Sequence, residues 1–478
     1  MTPVTELLSR FSATLRFEDI PFDVVERTKL LFMDLSGIII RSQNLDSTRV
    51  LEEALCDLGL DKGTIRVLGR QDAWTPQAAA LLAGAAAHSL DFDDTHAPAQ
   101  LHPGAAVIPA ALAAAQMTGA DTRELIAGIV AGYEVMIRVA LGLVPLLHSE
   151  RGYHLSATTG VFGAAAAAGN VLKLTPEQMA HAFGTALSES AGTGQFVVNG
   201  AWTKRFHVGN AAAGGLLAAA LARRGYTGAT QAFEGKEGFF NVYSPAPQPD
   251  AAVQGLGEVW EILQSGLKPY PCCRGIHAPL DAVMALHGRH RIDIAKIDSV
   301  RVGMAKRSVY VVGEPQERRR NPQNVVDCQF STHLCLAVAL QKGHMGWDDY
   351  EPALADPAIR ALMQRIDVYE DAECEAAFPK AFSGVVEIRT TDGQTWREFV
   401  RVPRGEPSTM LSAEELRGKF SLLVRDVLGP VGETALFEAI QRMSEGIPLS
   451  ELFQHATPPG TAAAIERSDR RLLQELTP

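Results

Sequence analysis

The sequence predicts a mainly α-helical fold, a large discontinuous helical-bundle domain with a smaller α/β (α+β) domain inserted into it. Three observations carry this. From Thr5 to about Ser265 apolar residues recur at three- and four-residue spacing, the period of one helix face. Alanine and glycine are abundant there, and small side chains let helices approach closely, as in a compact bundle. Near Gly266 the texture changes to short strand-like runs, and after Pro403-Arg404-Gly405-Glu406-Pro407 the helical spacing returns. No repeat of fixed period occurs, which argues against a solenoid. The expected parts are 1–265 (helical domain, first part), 266–403 (α/β domain) and 404–478 (helical domain, returning).

Within the inserted part Ile297–Gly303, Ile366–Tyr369 and Val385–Ile388 read as strands. Thr391-Asp392-Gly393-Gln394 supplies a hairpin turn before Trp396–Val402, a strand of alternating character. Ala278–His287 and Val326–Gln341 read as helices between them. Ser412-Ala413-Glu414-Glu415 opens the returning helix, with Ser412 as N-cap and acids in the first turn, and the helical pattern runs to about Phe453. The tail after Thr457 is Pro, Ala and charge, and is expected to be loosely held.

Forty-four basic against 55 acidic residues give a formal net charge of −11. This argues against a general nucleic-acid binder and against an anionic-membrane binder, but not against a small anionic substrate in a basic pocket. The start has no basic region ahead of a long apolar core, so no secretion signal is expected. The runs Ala78–Ala87 and Ala164–Ala168 are broken by Gly, His or charge well short of a membrane span. The six cysteines, Cys56, Cys272, Cys273, Cys328, Cys335 and Cys374, show no C-x-x-C pair and read as reduced thiols of a cytoplasmic enzyme.

Four segments carry chemistry. His88-Ser89-Leu90-Asp91-Phe92-Asp93-Asp94-Thr95-His96, followed by His102-Pro103-Gly104, places three carboxylates and two imidazoles in nine residues directly after an Ala-rich helix. Such a group is costly to bury without purpose. On a continuing helix His88, Asp91 and Thr95 would share one face. His102-Pro103 reads as an N-cap and first helical Pro, opening a helix Gly104–Met117. Gly152-Tyr153-His154 and Trp202-Thr203-Lys204-Arg205-Phe206-His207 each lead into a further small-residue helix. Three such helix N-termini, converging, would make a carboxylate pocket from dipoles and side chains together. Lys268-Pro269-Tyr270-Pro271-Cys272-Cys273-Arg274-Gly275-Ile276-His277 lies at the expected domain junction, where ligand sites are common.

Together these segments resemble the MmgE/PrpD family. The D-F-D-D-T stretch with its following H-P, the G-x-H before an Ala-rich helix, the T-K-x-x-H-x-G-x-A run and the K-x-Y-P-C-C-R-x-x-H run occur in the family's order. Pro322-Gln323, Gln329-Phe330-Ser331 and Lys419-Phe420 extend the likeness over roughly residues 5–455. The family includes 2-methylcitrate dehydratases, cis-aconitate decarboxylases and iminodisuccinate epimerases. The resemblance implies a helical domain with an inserted α/β lid, a homodimer, and no metal or cofactor. Carried over by position, it implies a site of Asp91, Thr95, His102, His154, Lys204 and Lys268, with Arg274 and His277 nearby.

Members act at a carbon next to a carboxylate, where a base must meet a weakly acidic C–H and cations must hold the developing charge. His102 suits proton transfer, because its ordinary pKa lies near neutrality. Asp91 either orients His102 or acts as the base itself. Lys204, Lys268 and Arg274 suit charge stabilisation, His154 joins the catalytic set by binding and polarising the substrate, and Thr95 and His277 suit binding. The expected activity is a dehydratase on a 2-hydroxy di- or tricarboxylate, the alternative an epimerase or decarboxylase using the same site. A different class, a silent scaffold that senses a carboxylate, would bind without turnover. Three departures from the family pattern point to a pocket unlike that for 2-methylcitrate: Gly104 where Ser is common, Leu334 where Tyr is common, and Arg274-Gly275-Ile276-His277 for the usual R-Y-T-H.

Simpler readings compete. Charge runs such as Asp91–Asp94 are usually solvated. His88 reads as a hydrogen-bonded core histidine, His96 as a loop residue and His207 as packing. Lys204 could read as a surface lysine, against which its setting between Trp202 and Phe206 argues for partial burial and an anionic partner. D-x-D-D lacks the ligand alternation and glycine of a calcium loop, and Cys272, Cys273 and His277 make no zinc pattern.

Overall fold

A computed structural model describes residues 3–459; the rest of the expected loose tail, 460–478, lies outside the described residues. The chain is mainly helical with a small α/β part, as the spacing predicts. The bundle's centre is built from Pro76–Ala87, Gly104–Thr118, Thr122–Gly142, Gly160–Val171 and Thr203–Arg223. Every residue of Gly160–Val171 is buried. Helices come this close because the contacts are made by glycine and alanine. A Cβ on Gly209 would stand 2.4 Å from the carbonyl oxygen of Leu81, and one on Gly215 2.5 Å from the Ala164 Cβ.

Thr122–Gly142 is long and apolar enough to cross a membrane, yet 94% of its most apolar window is buried inside the protein. It carries a fully buried ion pair, Glu134–Arg138, at 2.9 Å, and Arg138 also donates to Gln254 O at 2.8 Å. That is the position of a core helix whose charges are satisfied internally.

Ser412 caps the returning helix as expected: its hydroxyl accepts from Glu415 N, and the Glu415 carboxylate accepts from Ser412 N at 2.8 Å. This helix, Ala413–Gln441, packs along Phe22–Arg41. It kinks where Gly429 takes a φ of 72° just before Pro430, which lacks the N–H to continue the ladder.

The four expected strands form one sheet, in the order Ile366–Glu370, Ile297–Met304, Gly384–Thr390, Thr395–Val400. The first pair is parallel and the other two antiparallel. The expected helix Val326–Gln341 is instead two, Val325–Gln329 and Thr332–Lys342. The physical reason is a competing partner: Gln329 O accepts from Cys273 N at 3.0 Å, and Ser331 caps the second helix by accepting from Leu334 N.

Two apolar cores result. One is built from Val4–Leu267 and Leu411–Ala456, the other from Tyr270–Ile388 with Phe196. The chain passes between them at a two-stranded pair, Thr95–His96 against Ser265–Gly266, and at a bond from Leu267 N to Gly405 O of 2.8 Å. The chemistry-bearing segment around Asp91 thus abuts the crossover.

Gly209→Ala should force the Pro76–Ala87 and Thr203–Arg223 helices apart and cost about 1–3 kcal/mol. Chemical denaturation should show the loss as a lower midpoint with an unchanged slope.

Candidate active site

The Pro76–Ala87 helix does not continue through the acidic segment. It stops at His88, Asp91 takes a left-handed φ of 49°, and Thr95–His96 is already extended and paired with Ser265–Gly266. The shared helix face expected for His88, Asp91 and Thr95 is therefore absent. A tight turn gathers these side chains instead, because the segment must reverse to meet the crossover.

Asp91 is the electrostatic centre. Its carboxylate receives the Lys204 ammonium in a short contact and lies 3.3 Å from the Lys268 ammonium, which also donates to Asp91 O at 2.8 Å. Burial alone would raise this carboxyl, but the two ammoniums outweigh burial and hold it well below the ordinary range. Lys268 is wholly buried, whereas the Lys204 side chain keeps 11% of its surface. Trp202 and Phe206 do not bury Lys204, being 45% and 44% exposed themselves; the Phe330 ring does, its centroid 5.6 Å from the ammonium.

Four imidazoles stand beside this pair. His88 Nδ1 bonds Asp93 Oδ2 at 2.7 Å, and His102 Nδ1 lies 3.3 Å from the same oxygen. The His88 ring meets His102 edge-on at 4.7 Å between centroids and stacks near His154 at 6.0 Å. His154 Nδ1 in turn lies 3.2 Å from His207 Nδ1. Burial keeps the imidazoles neutral: His88 is lowered to about 3, and His102 and His154 are lowered too. The His102 side chain retains 16% of its surface and that of His88 none; His102, the half-buried His154 and His207, and the Lys204 ammonium are the members that can touch a ligand.

His102 is not a side-chain cap. The helix begins at Gly104, and Gly104 N donates to Asp94 Oδ1 at 3.2 Å, so a protein carboxyl group fills the helix-start position expected for a ligand's anion. Asp94 also accepts from the Tyr133 hydroxyl at 3.0 Å. Burial, with Asp93 nearby, pushes the Asp94 carboxyl up to about 8, and it is a neutral acid at pH 7. This fits Gly104: a Cβ there would stand 2.4 Å from Asp94 Oδ1 and 2.7 Å from the Tyr133 hydroxyl, so a serine would require both side-chain ends to move.

Thr95 is buried close by, its hydroxyl without a partner. Arg274 and His277 are engaged with the protein. Arg274 Nε binds Glu406 Oε1 at 2.7 Å, and its Nη1 reaches Arg404 O at 3.1 Å and His277 Nδ1 at 3.0 Å. His277 Nε2 meets Cys272 O at 3.1 Å. They clasp the Lys268–His277 segment to the expected linker 403–407, which is thereby part of the site's frame. Lys419 is a second clamp, donating to Phe92 O at 2.9 Å, to Lys268 O at 3.0 Å and to Asp34 at 2.6 Å.

Asp93, Glu406 and the central place of His88 escaped the sequence reading; the five-residue step from His88 to Asp93 was the available signal. His96, expected in a loop, is a buried strand residue whose Nδ1 accepts from Ala99 N at 3.1 Å. His88, Asp93 and His102 present donor atoms all within 4.8 Å of one another, a set that suits a metal by type. None of the six cysteines is in a disulfide among the described residues.

Residues 6–252 match the profile of the MmgE/PrpD N-terminal domain, and residues 270–445 that of the MmgE/PrpD C-terminal domain. The chain is 27% identical to a cis-aconitate decarboxylase of Aspergillus terreus over 94% of its own length and 95% of the relative's. It is 26% identical to a cis-aconitate decarboxylase-like protein of Aspergillus oryzae, over 94% and 96% of the two chains. The mouse cis-aconitate decarboxylase is 25% identical over 89% and 88%.

Asp94 holds its proton to about pH 8 when folded but loses it near 4 when unfolded. Its contribution to stability is therefore full in acid and lost as pH rises from about 4 to about 8. Asp94→Asn carries no such proton. Urea midpoints should show the variant gaining on the wild type between about pH 5 and about pH 8, by on the order of a few kcal/mol.

Proposed function

Since the chain belongs to the MmgE/PrpD family, we propose that it is a lyase acting on a tricarboxylate, with decarboxylation of a cis-aconitate-type substrate as its first-choice reaction. The observation that carries this reading is that Lys204 and His102, each keeping some exposed surface, sit against the buried Asp91–Lys268 and Asp93–His88 pairs respectively. The names of the relatives favour decarboxylation over the dehydration expected from the motifs.

The charges suggest how such a site would work. With neutral imidazoles, Lys204 and Lys268 balance Asp91 and Asp93. A polycarboxylate entering this balanced site brings uncompensated negative charge, which raises the pKa of His102 and His154 and draws in protons. The substrate thus charges its own general acid. In the reaction, the C–C bond to the departing carboxylate breaks and CO2 leaves. The freed electron pair becomes the new C=C, and the old C=C pair moves to the carbon next to a remaining carboxylate, which takes the proton. Lys204 would hold the charge developing there, and His102 would supply the proton. The same groups serve a dehydratase: His102 takes the proton next to a carboxylate, and an imidazolium assists departure of hydroxide.

The test is incubation with cis-aconitate, citrate and 2-methylcitrate in deuterated water, followed by proton NMR. The expected result is CO2 release from cis-aconitate with one deuterium in the product, on carbon next to a carboxylate. A new alkene from a 2-hydroxy acid, without CO2, would make the protein a dehydratase instead. His102→Ala and Lys204→Ala should each lower turnover by about 10²-fold or more while leaving the circular dichroism unchanged. Full activity in either would remove that residue from the site.

A further inference from the structure

We propose that Asp93 and His88 form a buried relay that positions His102, fixing its proton on Nδ1 and leaving Nε2 as the nitrogen that meets substrate. The proposal rests on the reading of His102 as the proton-transfer group. Asp93 is fully buried and grips His88 Nδ1 at 2.7 Å. Its Oδ2 lies 3.3 Å from His102 Nδ1 without yet making a hydrogen bond of good geometry. Three buried atoms of the trio lack a partner: His88 Nε2, Asp93 Oδ1 and His102 Nδ1. Each such atom costs about 1–3 kcal/mol. A small rotation of the part-exposed His102 ring onto Asp93 would satisfy one of them, and catalytic hydrogen bonds commonly tighten only when substrate is bound.

The rest of the frame is fixed. His88 terminates the Pro76–Ala87 helix with its ring wholly buried, and the backbone N–H of His102 is held by Ser156 Oγ at 3.0 Å. His88 therefore anchors the carboxylate with Oδ2, the oxygen it holds, also turned toward His102. When His102 takes a proton, Asp93 stabilises the imidazolium without itself being protonated, the logic of a catalytic triad. A shared metal fits the trio less well. Donors bonded to one tetrahedral ion at 2.0–2.2 Å stand roughly 3.3 Å apart, whereas His88 and Asp93 are 2.7 Å apart, the separation of a hydrogen bond. The charged or titratable groups facing the relay are Asp91, Lys204, Lys268 and His154, with Asp94, and Asp34 beside Lys419, behind Asp93.

The experiment is nitrogen NMR of the full-length protein labelled at histidine, with a His102→Gln variant to assign the resonance. His102 should be the Nδ1–H tautomer in the wild type. In Asp93→Asn that preference should be lost and the His102 pKa should fall, since a neighbouring negative charge has gone. With cis-aconitate, Asp93→Asn should lower kcat by about 10²-fold or more and leave KM within about threefold. His88→Gln, which keeps a donor to Asp93, should retain about tenfold more activity than His88→Leu. An Nε2–H tautomer in the wild type, an unchanged tautomer and pKa in Asp93→Asn, or one zinc per chain that survives dialysis would each overturn the relay. If Asp93→Asn fails to fold, the wild-type tautomer decides alone. Because the tautomer is read without substrate, a protein inert toward cis-aconitate would count against the proposed reaction and not against the relay.

Discussion

A single buried carboxylate, that of Asp91, governs how this site is assembled. Two ammoniums, Lys204 and Lys268, share it; Asp91 and Lys268 are withdrawn from water, and Lys204 keeps only a small part of its surface. Isolated, any one of them would cost several kcal/mol to bury. Together they oblige three distant stretches of chain to meet: the turn after Pro76–Ala87, the start of Thr203–Arg223, and the crossover into the α/β domain. Lys419 repeats the device from the returning helix, joining the backbones of Phe92 and Lys268. The site is thus a neutralised knot of charge whose strands come from every part of the molecule.

Neutrality is the property that chemistry can use. The lysines offset Asp91 and Asp93, burial keeps the imidazoles uncharged, and Asp94 is a neutral acid against Tyr133. A site at balance responds strongly to an incoming anion, because in a low-dielectric setting uncompensated charge is met most readily by proton uptake. The imidazoles in contact, His102, His88, His154 and His207, are the groups that can take such protons.

Close helix packing supplies the rigidity that these contacts need. Glycines at 84, 132, 163, 209 and 215 bring backbones to distances that a side chain would forbid. Gly104 extends the principle into the site itself, where the absent side chain is replaced by the Asp94 carboxyl and the Tyr133 hydroxyl. The first turn of Gly104–Thr118 is thus lined by the Asp94 carboxyl and the Tyr133 hydroxyl in place of a side chain at 104.

Apolar period, small-residue content and turn chemistry were enough to determine the helical bundle, the four strands and the Ser412 cap, because each depends on neighbours within a few residues. Motif order likewise brought out Asp91, His102, His154 and Lys204, since charge and imidazole next to Ala-rich helices are conspicuous in any sequence. Tertiary structure alone decided the rest. It ended the helix at His88 and turned Asp91 left-handed, because pairing with Ser265–Gly266 requires a reversal there. It gave Arg274 to Glu406, across 132 positions, and joined Lys204 to Asp91 across 113. Contacts of that range leave no local trace: they depend on which buried charges face each other once the backbone is packed, and that is fixed only when the whole chain has closed.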